Sequence, residues 1–309
     1  MTRMRFDNDV VLITGAGRGL GREYALAFAA RGAAVAINDI GGDAGSASPA
    51  VAVAEEIGAA GGRAAAAIGS VESPDGARGI VDEAIRAFGK VTILVNNAGV
   101  IDFAPLADLT DRAWRRMMAV TLDGTFHMTR ALWPHFLERG FGRIVNTTSN
   151  AGFAGNEQLV HYGAAKLGVA GFTRALAQES GGCDIRVNAV APMAITRMNR
   201  DAFFGGSETG SDDWAADIRS GKAPMGPPSA VASAVLWLAH RSTDINGEIF
   251  SVSSGKVARV GFIVGEGLFD PDHQPEDLRD NQARVRSLDN YVEPRCTADE
   301  LALIPPLFR

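Results

Sequence analysis

VVLITGAGRGLG, residues 10–21, sets the reading of the whole chain. Val10 to Thr14 is a short apolar run without polar alternation, the pattern of a parallel strand buried on both faces. Gly15, Gly17, Gly19 and Gly21 follow at once, and Leu20, Tyr24 and Phe28 then recur at helical spacing up to Arg31. Strand, glycine turn and helix in that order let backbone approach a pyrophosphate, which rests on the helix N-terminus. A glycine turn alone serves plain packing equally well, so its meaning depends on what lies downstream.

The next apolar run, 33–38, ends at Asp39, 18 residues beyond Gly21. A carboxylate at that strand end accepts hydrogen bonds from adenosine ribose hydroxyls and repels a 2′-phosphate. The plain alternative is a loop Asp capping a turn. Further out the alternation persists. Strands are predicted at 64–68, 91–95, 143–147, 185–190 and 248–252, and helices at 49–60, 74–88, 160–179 and 229–240. A long helical stretch at 110–138 is expected to be interrupted by Pro134. Alternating strands and helices imply right-handed βαβ units. The expected fold is a Rossmann-type doubly wound parallel α/β sheet, a single domain over 1–255 with a C-terminal extension, 256–309, packed on it. Two stretches break the rhythm: 197–228, rich in Gly, Ser and Asp, is expected to form a lid, and the tail is rich in Pro, Asp and Arg.

Composition narrows the function classes. The chain has 309 residues, 21% of them charged, and a net charge of −6, which argues against a nucleic-acid partner. No apolar run reaches membrane-spanning length. The first ten residues lack an apolar h-region and the last five are PPLFR, so neither a signal peptide nor a peroxisomal or ER-retention tail is expected. Cys183 and Cys296 form no CxxC pair, which fits a reducing cytoplasm. The five histidines are scattered and no metal site is expected; His161 is expected at the surface.

Three further motifs carry chemistry. In Asn96-Asn97-Ala98-Gly99, the Asn pair can bond backbone that the sheet leaves free, while Ala98 and Gly99 leave room for a flat cofactor. Ser149 follows the fifth strand, at the carboxyl edge where ligands bind in open α/β sheets, and its hydroxyl can hold a substrate oxygen. The plain alternative is a turn Ser. Tyr162 and Lys166, 13 and 17 residues further on, share one helix face. A cation there is expected to lower the phenol pKa so that Tyr162 exchanges a proton with an alcohol. The alternative is a solvated Tyr and Lys. The ordered conjunction of glycine turn, Asp39, NNAG, Ser149 and YGAAK outweighs any one of them.

These pieces, with VNAVAP at 187–192, make residues 7–255 resemble a short-chain dehydrogenase/reductase. Residues 10–43, 161–172 and 234–252 are more narrowly similar to the (3R)-hydroxyacyl-CoA dehydrogenase unit of peroxisomal multifunctional enzyme type 2, also called 17β-hydroxysteroid dehydrogenase type 4. The resemblance implies hydride transfer between NAD, with NADP less favoured, and a secondary alcohol. A (3R)-hydroxyacyl-CoA going to its 3-oxoacyl-CoA is expected, steroid or other bulky acyl groups included. The runner-up is a dehydrogenase of free steroid or other secondary alcohols. A non-enzymatic cofactor sensor is the competing class, and an intact Ser–Tyr–Lys set speaks against it.

Residue by residue, Tyr162 is the expected acid/base, Lys166 its modulator and Ser149 the substrate anchor. Thr121 stands where the family has an Asn whose carbonyl supports a proton relay, and it is expected to keep the relay with altered geometry. The cofactor is expected along Gly15, Arg18, Gly19, Leu20, Gly21, Asp39, Ser70, Val71, Asn97, Ala98, Gly99, Tyr162, Lys166, Pro192 and Thr196. Ser70 replaces a family Asp at the adenine, and Arg18 is the residue that argues for NADP. Substrate contacts are expected from Ser149, Met193, Phe203, Phe204 and Trp214. Arg197, Arg200, Arg219 and Lys222 are candidates for CoA phosphates or plain solvated charges. The resemblance also implies a homodimer or homotetramer, with Trp114, Met117, Leu132, Phe136, Val169, Phe172 and Leu176 as apolar residues beyond what one sheet face needs; the plain alternative is burial of these residues against the sheet.

Overall fold

The computed structural model describes residues 3–41, 48–194, 219–220 and 225–301. Seven strands alternate with helices along most of the chain: β1 Val10–Ile13, α1 Gly19–Ala29, β2 Ala34–Asp39, α2 Pro49–Ala59, β3 Arg63–Ile68, α3 Pro74–Phe88 and β4 Ile93–Asn96. Then come α4 Asp111–Met118, α5 Gly124–Arg139, β5 Phe141–Thr147, α6 Asn150–Ala154, α7 Val160–Leu176, β6 Asp184–Met193, α8 Ser229–Ala239 and β7 Ile249–Ser253. An eighth strand, β8 Lys256–Val260, completes a sheet of order β3-β2-β1-β4-β5-β6-β7-β8. The pairs from β3 through β7 are parallel. The order reverses between β1 and β4, which opens a crevice at their carboxyl ends.

Period-two geometry explains why the strands read as unbroken apolar runs. Val11 and Ile13 of β1 pack under α1 and α8 with Tyr24, Phe28, Val231 and Val235. Val10 and Leu12 point the other way, toward Ile80, Leu132 and Phe136. Helix boundaries follow local chemistry: Ser73 caps α3 by accepting from Gly76 N (3.1 Å), Pro74 fills the first position, and Gly89 ends it at φ 75°.

Three expectations need correction. The stretch 110–138 divides not at Pro134 but at a π-helical turn, Ala119–Asp123, between α4 and α5. α5 runs through Pro134 because Leu132 and Phe136 on either side are fully buried against the sheet, and that packing offsets one lost ladder bond. β8 begins where the domain was expected to end: Ser254 and Gly255 both take positive φ (50° and 87°) and turn the chain back as a two-residue hairpin. Finally, of the residues singled out for oligomer contact, Met117, Leu132, Phe136, Val169 and Leu176 are buried within the subunit, and Trp114 is exposed.

The chain divides into two compact units, 1–259 and 260–309. The first holds the Rossmann-type sheet. The second has a two-stranded antiparallel pair, β9 Val264–Gly265 with β10 Tyr291–Val292. It also has short helices α9 Pro275–Asp280, α10 Gln282–Arg286 and α11 Thr297–Leu301. Among the described residues no helix is long and apolar enough to cross a membrane.

Candidate active site

A cleft of about 640 Å³ opens at the carboxyl edge of the sheet. The glycine turn forms one end. Gly15 takes φ +61°, and a Cβ there would lie 2.9 Å from Ala98 Cα, so the turn and the NNAG segment touch as bare backbone. Gly19, at φ +55°, faces open space. α1 begins there without a side-chain cap, leaving its first N–H groups free for an anion. Gly21 is different: a Cβ would meet Gly15 O at 2.5 Å and Asn97 Nδ2 at 2.6 Å. Its part is close helix packing, and it does not line the cleft. Gly15, Arg18, Gly19, Leu20 and Asp39 do. The Asp39 carboxylate accepts from Gly17 N (2.9 Å), which fixes it beside the turn.

The two asparagines are locks. Asn97 Nδ2 donates to Thr14 O and Gly15 O (3.0 and 3.1 Å), and Thr14 Oγ1 accepts from the N–H of Asn97 and of Ala98 (both 3.0 Å). Asn96 Nδ2 donates to Thr129 Oγ1 and Asn146 Oδ1, and Asn146 in turn donates to Thr173 Oγ1. This chain joins β4 and β5 to α5 and α7. Asn146, Thr129 and Thr173 give no sequence signal, because their partners lie tens of residues away.

Ser149 ends the loop after β5 and caps α6, accepting from Ala151 N (3.2 Å). Its hydroxyl lies close enough to the Tyr162 phenol, in the first turn of α7, to favour the ionised form of that phenol. One turn later, Lys166 is buried, donates Nζ–H to Thr147 O (2.7 Å), and lies 5.8 Å from the Tyr162 ring centre. Burial pushes the Lys166 ammonium down to about 8. Burial also pushes the Tyr162 phenol up, while the neighbouring Ser149 hydroxyl works against that rise. The expected lowering of Tyr162 by Lys166 is thus not met, and desolvation dominates. Thr121 lies in the π-turn with its carbonyl accepting from Thr125 Oγ1 (2.8 Å). A Cβ on Gly99 would lie 3.6 Å from Lys166 Nζ and 3.8 Å from Thr121 Oγ1, so both converge on that bare backbone.

Asn97, Ala98, Gly99, Pro192 and Met193 line the cleft as expected. Ser70 and Val71 do not: Ser70 Oγ accepts from Glu72 N in a local turn (3.3 Å), and Val71 is buried with its carbonyl against His127. Thr196, Arg197, Arg200, Phe203, Phe204, Trp214 and Lys222 lie outside the described residues. Arg219 is exposed. Residues missed from sequence include Ile101, Leu159 and Met225 on the apolar wall, together with Arg116 and Asn150. Asn150 Nδ2 donates to Met193 Sδ (3.0 Å) and its Oδ1 accepts from Ser149 Oγ (3.3 Å). His161 corrects an expectation: it is fully buried, paired through Nε2 with Asp102.

A short chain dehydrogenase family model matches residues 9–203. Peroxisomal multifunctional enzyme A of Dictyostelium discoideum is 37% identical over 97% of this chain, and the chain spans 65% of that relative's length. The (2S)-[(R)-hydroxy(phenyl)methyl]succinyl-CoA dehydrogenase subunit BbsD of Thauera aromatica is 37% identical over 82% of this chain and 98% of its own. A crystal structure of a short chain dehydrogenase from Mycobacterium avium superposes with a TM-score of 0.77 at 36% identity, covering 91% of this chain and 96% of that one. The chain belongs to the short-chain dehydrogenase family and is an oxidoreductase acting on CH–OH groups, in a family that uses NAD(P).

Proposed function

We propose that this short-chain dehydrogenase oxidises a (3R)-hydroxyacyl-CoA to its 3-oxoacyl-CoA with NAD, bulky acyl groups such as steroid side chains included. The observation that supports it most is the meeting of Ser149, Tyr162 and Lys166 in one cleft with the glycine turn and Asp39. A dinucleotide fits the residues present: the open backbone at Gly19 and the uncapped start of α1 receive its pyrophosphate, and Asp39 its adenosine ribose. Asp39 outweighs Arg18, because repulsion of a 2′-phosphate is direct. When bound, the cofactor supplies the nicotinamide C4 that takes the hydride from the carbinol carbon.

The chain's own residues handle oxygen and proton. Ser149 Oγ holds the substrate oxygen, and the Tyr162 oxygen accepts the hydroxyl proton. Lys166 holds the nicotinamide ribose and favours the phenolate over the phenol by its charge. The Thr121 carbonyl has a second lone pair beyond the one given to Thr125, enough to hold a water on the path from Lys166.

The Thauera relative is named for a CoA thioester bearing a hydroxyl, which supports the thioester reading. A free steroid or other secondary alcohol is the second reading, favoured by the apolar wall of Ile101, Leu159, Met193 and Met225. Two free cysteines, Cys183 half-buried and Cys296 exposed, suit a cytoplasmic protein. We place a homo-oligomer contact, dimeric or tetrameric, on the exposed Trp114, Phe126, Leu137 and Leu167 of α4, α5 and α7. NADH formation with matched (3R)-hydroxyacyl-CoA thioesters and free alcohols tests the function. Higher kcat/KM for the thioesters is expected; a free alcohol that beats every thioester overturns that part.

A further inference from the structure

Asp102 and His161 join the two walls of the cleft, and neither takes part in the chemistry derived above. His161 is fully buried in the first turn of α7, one residue before Tyr162. Its Nε2 pairs with Asp102 Oδ1, whose side chain is 46% exposed. Asp102 continues the segment whose Gly99, Val100 and Ile101 line one side of the cleft; Leu159 and Tyr162 line the other. A second tie runs alongside, from Ala104 N to Gln158 O (3.0 Å), at a turn where Gln158 holds φ +61°. That left-handed backbone is uncommon for a residue other than glycine, and it persists where surroundings hold it.

His161 Nδ1 is buried without a hydrogen-bond partner among the described residues. A doubly protonated ring would bury an unpaired N–H, whereas a neutral ring protonated on Nε2 donates to Asp102 and leaves only a lone pair unmatched.

We propose that the Asp102–His161 pair is a positioning clasp, which holds the 99–104 wall at a fixed distance from Tyr162 and so sets the substrate end of the cleft. It rests on the reading of Tyr162 as acid/base. The glycine turn at the cofactor end has no bond to the clasp, so substrate parameters respond and dinucleotide affinity does not.

Asp102→Ala and Asp102→Asn test it in the full chain. Asp102→Ala is expected to raise the alcohol KM about tenfold and lower kcat severalfold, with the NADH Kd within about twofold. Asp102→Asn still accepts from Nε2–H and is expected to recover most of the loss. Amide exchange over 99–104, which needs no turnover, is expected to quicken about tenfold in Asp102→Ala alone. The clasp is wrong if that exchange is unchanged, if the two variants behave alike, or if KM and the NADH Kd rise together. An inactive wild type with quickened exchange in Asp102→Ala would reject the proposed reaction while leaving the clasp standing.

Discussion

β5 has a buried cation at each end, and the two are treated in opposite ways. At its amino end Arg143 is 1% exposed, yet its guanidinium donates to Gly142 O, Asp184 O, Asp184 Oδ2 and Arg241 O at 2.7–3.1 Å and stacks 4.5 Å from the Phe141 ring centre. At its carboxyl end Lys166 donates to Thr147 O, and among the described residues it meets no carboxylate. Arg143 is held by a planar fork that matches many acceptors, and Asp184 opposes the effect of its burial. Lys166 is left with a depressed pKa because burial strips its water and its bond to Thr147 O does not make up the loss. On the proposed function, the amino end of the sheet is built for stability and the carboxyl end gives some up for chemistry.

Removing Lys166 should break the comparison most sharply. Lys166→Met is expected to lower kcat/KM by about 10³-fold, since the phenolate loses its cation. The same variant should be more stable than wild type at pH 7. The folded pKa, about 8, lies below the ordinary value of 10.5, so the unfolded chain binds the proton more tightly. The resulting penalty is present in full below pH 8 and fades as the pH rises toward 10.5. Chemical denaturation at pH 7 should show a gain of about 1–3 kcal/mol that shrinks above pH 8; a loss at pH 7 contradicts the account.

At the other end, Arg143→Met should cost about 2–4 kcal/mol in the same measurement, because several carbonyls and Asp184 lose their donor. The folded fraction should keep wild-type kcat. A large loss of kcat at full stability would show that the two ends are not separate.

Within the cleft, Asp39→Ala should shift the NADP-to-NAD ratio of kcat/KM toward NADP by about 10-fold or more, as repulsion is removed and Arg18 remains. An unchanged ratio would take Asp39 out of cofactor choice. The smallest effect is expected at Tyr24, fully buried in the core with no partner for its hydroxyl among the described residues. Tyr24→Phe should raise stability by about 0.5–1 kcal/mol, read as a higher denaturation midpoint; a clear loss would reveal a hidden bond.

The sheet was legible because parallel strands buried on both faces are written as plain apolar runs such as VVLI, and because glycines mark the turn at the switch point. Asp39, Ser149, Tyr162 and Lys166 were legible for the same reason: each stands at a fixed place relative to a strand end or helix start. What escaped depends on distant partners. His161 is buried and paired with Asp102, 59 residues earlier, and nothing near it in the sequence announces that. α5 survives Pro134 through packing against the sheet, and Met117 and Val169 look like surplus apolar residues until the core claims them. The rise of the Tyr162 phenol also escaped, because spacing reveals the neighbouring cation but not the loss of water.

Tyr162→Phe measured against pH tests the central claim most directly. In the wild type, kcat/KM for alcohol oxidation should climb with pH, since the base form is required and burial raises the phenol. In the variant it should fall about 10³-fold and lose that climb, while the NADH Kd stays within about threefold. Wild-type turnover in Tyr162→Phe, or a profile of unchanged shape, would contradict the account.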